Sequence, residues 1–179
     1  MRIISGSRRG ARIAAPAGTD TRPTGDRVRE AAFNLIGPVD GASVLDLFAG
    51  SGAMGLEALS RGAASVVFVE RDRAACRVID ENLAKLRLTG AAVLCRDAAR
   101  VLAAEAAGGR RYDLVLVDPP YSTGVQPALA ALLPAVIAEE GLIVVETAAR
   151  DEPELALPKR TSRRYGAARL TLFDAGTSE

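Results

Sequence analysis

The chain has 179 residues, 49% of them hydrophobic and 25% charged, with a formal net charge of +1. That length and apolar content fit one domain with a sizeable core and exclude a disordered chain or a pair of full domains. There is no histidine and only two cysteines, Cys76 and Cys95, which excludes Ser-His and Cys-His nucleophilic schemes, a disulfide framework and most zinc chemistry, so carboxylates or the backbone must carry any reaction and no metal is expected.

Met1-Arg2-Ile3-Ile4 runs straight into glycine and arginine without the apolar segment of a signal peptide, and no stretch approaches transmembrane length. The expectation is a soluble, cytoplasmic protein with reduced thiols and no membrane partner. Ile3-Ile4 and Arg12-Ile13-Ala14 flank Gly6-Ser7-Arg8-Arg9-Gly10, a pattern that reads as a small hairpin tipped by arginines. Over the first thirty residues Arg2, Arg8, Arg9, Arg12, Arg22, Arg27 and Arg29 face only Asp20, Asp26 and Glu30. Such a local basic surface suits phosphates, although solvated arginines would give the same pattern. Thr24-Gly25-Asp26 opens a helix with Val28, Ala31, Ala32 and Leu35 on one face, ending near Gly37-Pro38. Residues 1–40 thus read as an extension and residues 41–179 as the main domain.

From Ser43 onward short apolar runs alternate with helical patterns. The runs are Val44-Leu45 and residues 66–69, 92–94, 114–117 and 142–145. Helical spacing links Ala75, Val78, Ile79, Leu83 and Leu86, and again Leu129, Leu132, Leu133, Val136 and Ile137, while residues 98–107 are rich in alanine. This alternation predicts an α/β, Rossmann-like fold: a mostly parallel sheet with helices on both faces. Two further strand-like stretches, 160–165 and 168–173, meet around Gly166 as a hairpin would, bringing the count to seven strands with one antiparallel. Near them Lys159, Arg160, Arg163, Arg164 and Arg169 form a second basic cluster.

Asp46-Leu47-Phe48-Ala49-Gly50-Ser51-Gly52-Ala53-Met54-Gly55 lies where the first strand turns into the first helix of the main domain, and it contains G-x-G-x-x-G. Glycines there permit a tight turn and close approach of a ligand to N–H groups at a helix N-terminus. Phe48, Ala49, Gly50, Ser51, Gly52 and Gly55 are candidate cofactor contacts. Glu70, followed by Arg71, ends the second strand, where an acid accepts both ribose hydroxyls of an adenosine. These features alone fit NAD as well as S-adenosyl-L-methionine. Asp46 tips the balance, since a negative charge before the glycines suits a ligand's ammonium or sulfonium and repels pyrophosphate. Asp97, after the third strand, is placed to accept from an adenine amine, with Ala98 leaving room for the ring; Asp97 is equally a good N-cap for the helix that starts at Ala98.

Asp118-Pro119-Pro120-Tyr121 follows the apolar run of residues 114–117. Two prolines end a strand at a rigid corner, and the carboxyl ends of parallel strands are where open α/β sheets bind ligands. An exocyclic amine on a base is a poor nucleophile because its lone pair is delocalised. Acceptors that take both amine hydrogens, the Asp118 carboxylate and the Pro119 carbonyl, localise that pair, and Tyr121 supplies a stacking partner for a base withdrawn from its helix. Asp118 is also counted among the candidate cofactor contacts.

With these residues in place, the D-P-P-Y and D-x-F-A-G-x-G motifs resemble those of class I S-adenosylmethionine-dependent methyltransferases that modify exocyclic amines. Thr21-Arg22-Pro23-Thr24-Gly25-Asp26-Arg27-Val28-Arg29-Glu30-Ala31-Ala32-Phe33-Asn34, followed by residues 46–61, resembles the bacterial RsmD family of 16S rRNA guanine-N2 methyltransferases over nearly the whole chain. The resemblance implies methyl transfer to one guanine N2 of 16S rRNA within the small ribosomal subunit or an assembly intermediate, with ribosomal proteins near the target as further candidate partners. It carries over Gly50 to Gly55, Glu70 and Asp97 as cofactor contacts and Asp118, Pro119, Pro120 and Tyr121 as the amine site, and it sets the segment from Arg22 to Asn34 beside both. Arg8, Arg9, Arg12, Arg22, Arg27 and Arg29 are then the candidate RNA contacts. Family members often carry phenylalanine at the Tyr121 position, which preserves stacking. The competing readings are a DNA adenine-N6 methyltransferase, for which the chain has no segment long enough for a target-recognition domain, and a non-catalytic RNA-binding module with a cofactor pocket, which would have no need of Asp118.

Overall fold

The structure is a computed structural model that describes residues 1–16 and 25–176. Arg22 and the Thr21-Arg22-Pro23-Thr24 part of the amino-terminal motif lie outside the described residues. Among the described residues five α-helices and seven strands follow in chain order: α1 (Gly25–Ile36), β1 (Ser43–Leu47), α2 (Ala53–Ser60), β2 (Ser65–Glu70), α3 (Arg73–Leu86), β3 (Ala91–Cys95), α4 (Ala98–Ala107), β4 (Tyr112–Val117), α5 (Pro127–Val136), β5 (Ile137–Ala148), β6 (Lys159–Tyr165) and β7 (Ala168–Asp174). The strands form one sheet in the order β3-β2-β1-β4-β5-β7-β6. The first five strands run parallel, in register through Leu45↔Val67, Leu45↔Val115 and Val115↔Ile143. β7 enters antiparallel between β5 and β6, opposing Val144 with Leu172 and Arg164 with Arg169. The predicted seven strands with one antiparallel member are therefore what the chain forms.

The central strands are continuous runs of β-branched and leucine residues because both sheet faces are covered. On one face Val44, Phe68, Leu116, Val144 and Leu172 pack with Phe33 of α1, Leu56 of α2 and Ile79 of α3. On the other, Leu45, Val69, Val117, Ile143 and Phe173 pack with Leu102 of α4 and Leu133 of α5. One expected helical position moves: Ile137 is the first residue of β5, paired with Tyr112 across an irregularity in the β4–β5 register. Pro134 lies in the last turn of α5, where the missing donor helps to end the helix. Cys76 is buried and Cys95 exposed, the latter because β3 is the edge strand.

The amino-terminal segment packs on the α1–α3 side. Its hairpin consists of a 3₁₀ turn over Gly6–Arg8 and a single antiparallel bridge between Arg2 and Arg12. Ile3 and Ile13 enter the same apolar cluster as Leu56 and Phe68. A fully buried carboxylate fastens this segment: Glu57 of α2 accepts from the Ile4 N–H at 2.8 Å and the Ser5 N–H at 2.9 Å, and pairs with Arg61 at 2.8 Å. Such a charge is tolerable in the interior only because it is paired and hydrogen-bonded.

Gly55 belongs to this packing. A Cβ there would lie 2.3 Å from Cε1 of Phe68 and 2.8 Å from Cγ1 of Val66. Gly55→Ala should therefore destabilise the protein by about 1–3 kcal/mol of overpacking, despite the better helix propensity of alanine. Denaturant midpoints check this, and an unchanged or raised midpoint would mean that α2 can retreat from β2 at no cost.

Candidate active site

At the carboxyl ends of β1, β2 and β4 a cleft of about 920 Å³ opens, within the usual range for small-molecule sites of roughly 300–1,000 Å³. Its floor is the β1–α2 turn. The strand ladder ends as the Ala49 N–H donates to Val69 O at 3.0 Å, and the chain reverses through Phe48 at φ 60°, Gly50 at φ 55° and Gly52 at φ 77°. Phe48 holds a left-handed conformation that costs a bulky residue energy, and such strain is kept where the surroundings enforce it. Phe48, Ala49, Gly50 and Ser51 line the cleft. Gly52 and Gly55 do not: Gly52 forms the left-handed entry to α2, and Gly55 lets α2 close on β2. Turn geometry and packing account for these two glycines.

The acids at the strand ends surround this turn. Glu70 spans it, accepting from the Gly50 N–H through Oε2 at 3.0 Å and from the Asp72 N–H through Oε1 at 2.9 Å. Asp72 in turn caps α3, accepting from the Ala75 N–H at 2.8 Å. Asp97 and Ala98 line the neighbouring wall, and Asp97 does cap α4, its Oδ1 accepting from the Arg100 N–H at 3.1 Å. A carboxylate has about four acceptor sites, so the cap is compatible with a further bond into the cleft. Arg71 and Arg96 stand at the rim, both exposed.

Asp46 also lines the cleft. It is a residue of β1 itself, 3% exposed, and accepts from the Gly55 N–H through Oδ2 at 2.9 Å. Burial pushes its carboxyl up to about 7, against the lowering effect of that hydrogen bond, and the charge of Glu70 adds to the rise. Burial thus disfavours the charged form, and a cation placed in the cleft would favour it.

Opposite the glycine turn stand Asp118, Pro119, Pro120 and Tyr121, all on the cleft wall. The Asp118 N–H still reaches Leu47 O at 3.4 Å, so the corner starts where the β1–β4 ladder ends. The carbonyl of Pro120 closes the turn, accepting from the N–H groups of Thr123 and Gly124, both at 3.0 Å, and from the Thr123 hydroxyl at 3.1 Å. The Tyr121 hydroxyl donates to Glu146 Oε1 at 3.1 Å. Glu146 was not foreseen; it ends the apolar run of β5 as Glu70 ends that of β2, and that parallel was the available signal. Gln126, just before α5, also lines the cleft, its Nε2 donating to Thr123 O at 2.6 Å.

The expected RNA contacts divide. Arg9, Arg12 and Arg27 are exposed. Arg8 instead donates through Nε to Leu86 O and through Nη2 to Arg87 O at 3.3 Å, placing a cation at the carboxyl end of α3, where the helix dipole favours one. Arg29 is corrected as well: it is 3% exposed, donates to Arg2 O, and pairs with Asp26 at 3.0 Å and Glu57 at 3.6 Å. It lines the inner wall of the cleft as a strut between α1, α2 and the amino-terminal segment. Among the described residues no group of three or more His, Cys, Asp or Glu could hold a metal ion, and no helix is long and apolar enough to cross a membrane.

A family model described as conserved hypothetical protein 95 matches residues 1–174. YlbH of Bacillus subtilis (strain 168) is 45% identical over 163 residues, 89% of this chain and 86% of that protein. Ribosomal RNA small subunit methyltransferase D of Escherichia coli (strain K12) is 43% identical over 161 residues, 88% of this chain and 78% of that protein. The solved structure of yhhF from Escherichia coli superimposes with a TM-score of 0.86 at 36% identity, covering 99% of both chains.

Proposed function

Because the chain belongs to the conserved hypothetical protein 95 family, that of the ribosomal RNA small subunit methyltransferases D, we propose that it transfers a methyl group from S-adenosyl-L-methionine to the exocyclic N2 of one guanine in 16S rRNA. It is an S-adenosylmethionine-dependent rRNA methyltransferase. The observation that carries the reading is the meeting, in one cleft, of the Glu70-braced glycine turn with the Asp118-Pro119-Pro120-Tyr121 corner.

The residues fit the cofactor. A Cβ on Gly50 would meet nothing closer than 4.0 Å, so the backbone is open to close approach. Glu70 would hold the ribose hydroxyls, Asp97 the adenine amine, and Asp46, ionised by a neighbouring cation, the amino-acid end. When bound, the cofactor supplies a methyl group already activated on a sulfonium. The chain then has to position and polarise. Pro120's carbonyl is committed to its turn, so the acceptors for the amine hydrogens are the Asp118 carboxylate and Pro119's carbonyl. Two such acceptors localise the nitrogen lone pair as the bond to carbon forms, a gain realised chiefly in the transition state. Tyr121 stacks on the extruded base, and the proton released on transfer leaves through Asp118 or water.

The substrate is a small ribosomal subunit or an assembly intermediate, met in the cytoplasm, with residues 1–40 as the RNA-facing extension of the catalytic unit formed by residues 41–179. Arg9 and Arg12 bind phosphates, whereas Arg8 serves the fold. Replacing Arg9 and Arg12 with alanine should weaken particle binding and lower the slope of log K against log salt by roughly 0.7–0.9 for each phosphate no longer neutralised. Filter binding across a salt series measures this, and an unaltered slope would make both residues solvated bystanders.

Incubation with labelled S-adenosyl-L-methionine and unmodified small subunits, naked 16S rRNA or DNA, followed by mapping of the product, tests the whole reading. The expected product is one N2-methylguanine in the 16S rRNA of the particle. Label appearing only in DNA would overturn it.

A further inference from the structure

The geometry points to Glu146 as the residue that selects guanine, by accepting the base's N1–H beside the reacting amine. This inference rests on the functional reading above. Val117 of β4 and Val145 of β5 are register partners in a parallel ladder, and both side chains enter the same apolar cluster. Asp118, just past the end of β4, and Glu146, within β5, are the residues that follow this pair, so each turns toward the opposite face on neighbouring stretches of chain whose strands are about 4.8 Å apart. Both line the cleft, Glu146 is half-buried, and the Tyr121 hydroxyl fixes one of its oxygens at 3.1 Å. The fold thus sets a second carboxylate next to the first, with the stacking ring tied to it.

The edge of guanine carries two adjacent donors, the N2 amine and N1–H. Adenine and cytosine instead present a ring-nitrogen lone pair beside their amines. With Asp118 on the amine, a neighbouring carboxylate gains a charge-assisted hydrogen bond from guanine and meets only a lone pair on the other two. Setting a carboxylate oxygen against that lone pair rejects these bases more strongly than any preference that stacking could add. Asp118 and Pro119 alone would accept any exocyclic amine; Glu146 narrows the choice to guanine.

The test uses particles reassembled with 2-aminopurine at the guanine that the wild-type protein methylates, because this analogue keeps the amine but has a lone pair at N1. Wild type should lose about 100-fold in kcat/KM on the analogue. Glu146→Gln should lose about tenfold on guanine and discriminate by no more than about threefold, since a carboxamide can rotate to accept from N1–H or donate to N1. Affinity for S-adenosyl-L-methionine should be unchanged, separating substrate reading from a general loss of structure. A wild-type protein indifferent to the analogue would overturn the inference without recourse to any variant, as would a Glu146→Gln protein with undiminished discrimination. Failure of wild type to methylate any guanine would instead overturn the functional reading beneath it.

Discussion

Asp118→Ala should lower methyl transfer to the small subunit by roughly 10²–10³-fold while leaving affinity for S-adenosyl-L-methionine within about threefold of wild type. The asymmetry follows from position. Asp118 stands at the mouth of the cleft, exposed and beyond the end of the β1–β4 ladder, with its backbone still held to Leu47. Removal of the side chain leaves the prolines, the turn closed on Pro120's carbonyl and the glycine turn in place. What disappears is an acceptor that strengthens as the amine pyramidalises, so the deficit belongs in kcat. Asp118→Asn should recover only part of the rate, because a carboxamide accepts at one end and opposes the amine with its own N–H₂ at the other. Single-turnover rates with saturating particles, paired with a cofactor titration, measure both quantities. Comparable turnover by Asp118→Ala would remove the residue from the chemistry.

Glu70→Ala should do the reverse and abolish useful cofactor binding, by roughly 10²–10³-fold in Kd. Two effects combine. Both ribose hydroxyls lose a charged acceptor, worth about 1.5–3 kcal/mol for each such bond. The Gly50 N–H loses the carboxylate that holds the turn open to the ligand. Glu70→Gln should fare little better, since both oxygens accept backbone N–H groups, from Gly50 and Asp72, and a carboxamide must present its N–H₂ to one of them. Calorimetric titration reads the affinity and a melt without cofactor reads the fold. Affinity equal to wild type would take Glu70 out of the site.

Much of this was legible in the chain itself. Every predicted strand forms, with ends displaced by at most a few residues except at β5, because buried parallel strands must be nearly continuous in apolar residues and the connecting helices must show a 3.6-residue period. The cleft-lining Gly50, Glu70, Asp97 and Asp118 were legible for a related reason: polar or glycine residues that interrupt an apolar run at its carboxyl end have few structural uses. Arg8 and Arg29 misled because charge along a sequence does not reveal direction. Arg29 sits on the helical face opposite neither solvent nor phosphate but Glu57, and that partner is nearly thirty residues away in sequence. Gly55 fell inside the motif spacing yet serves Phe68, a neighbour it meets only once α2 lies on β2.

The sequence by itself determined the class of fold, the glycine turn, and the Asp118-Pro119-Pro120-Tyr121 corner, since each is a local pattern carried by neighbouring residues. Only the tertiary structure decided the ionisation of Asp46, the inward turn of Arg29, the capping of α3 by Arg8 and the pairing of Glu146 with Tyr121. Those properties depend on burial and on partners brought together from distant segments: a carboxylate's pKa is set by what excludes water from it, and an arginine's role by which acceptor the fold places within reach.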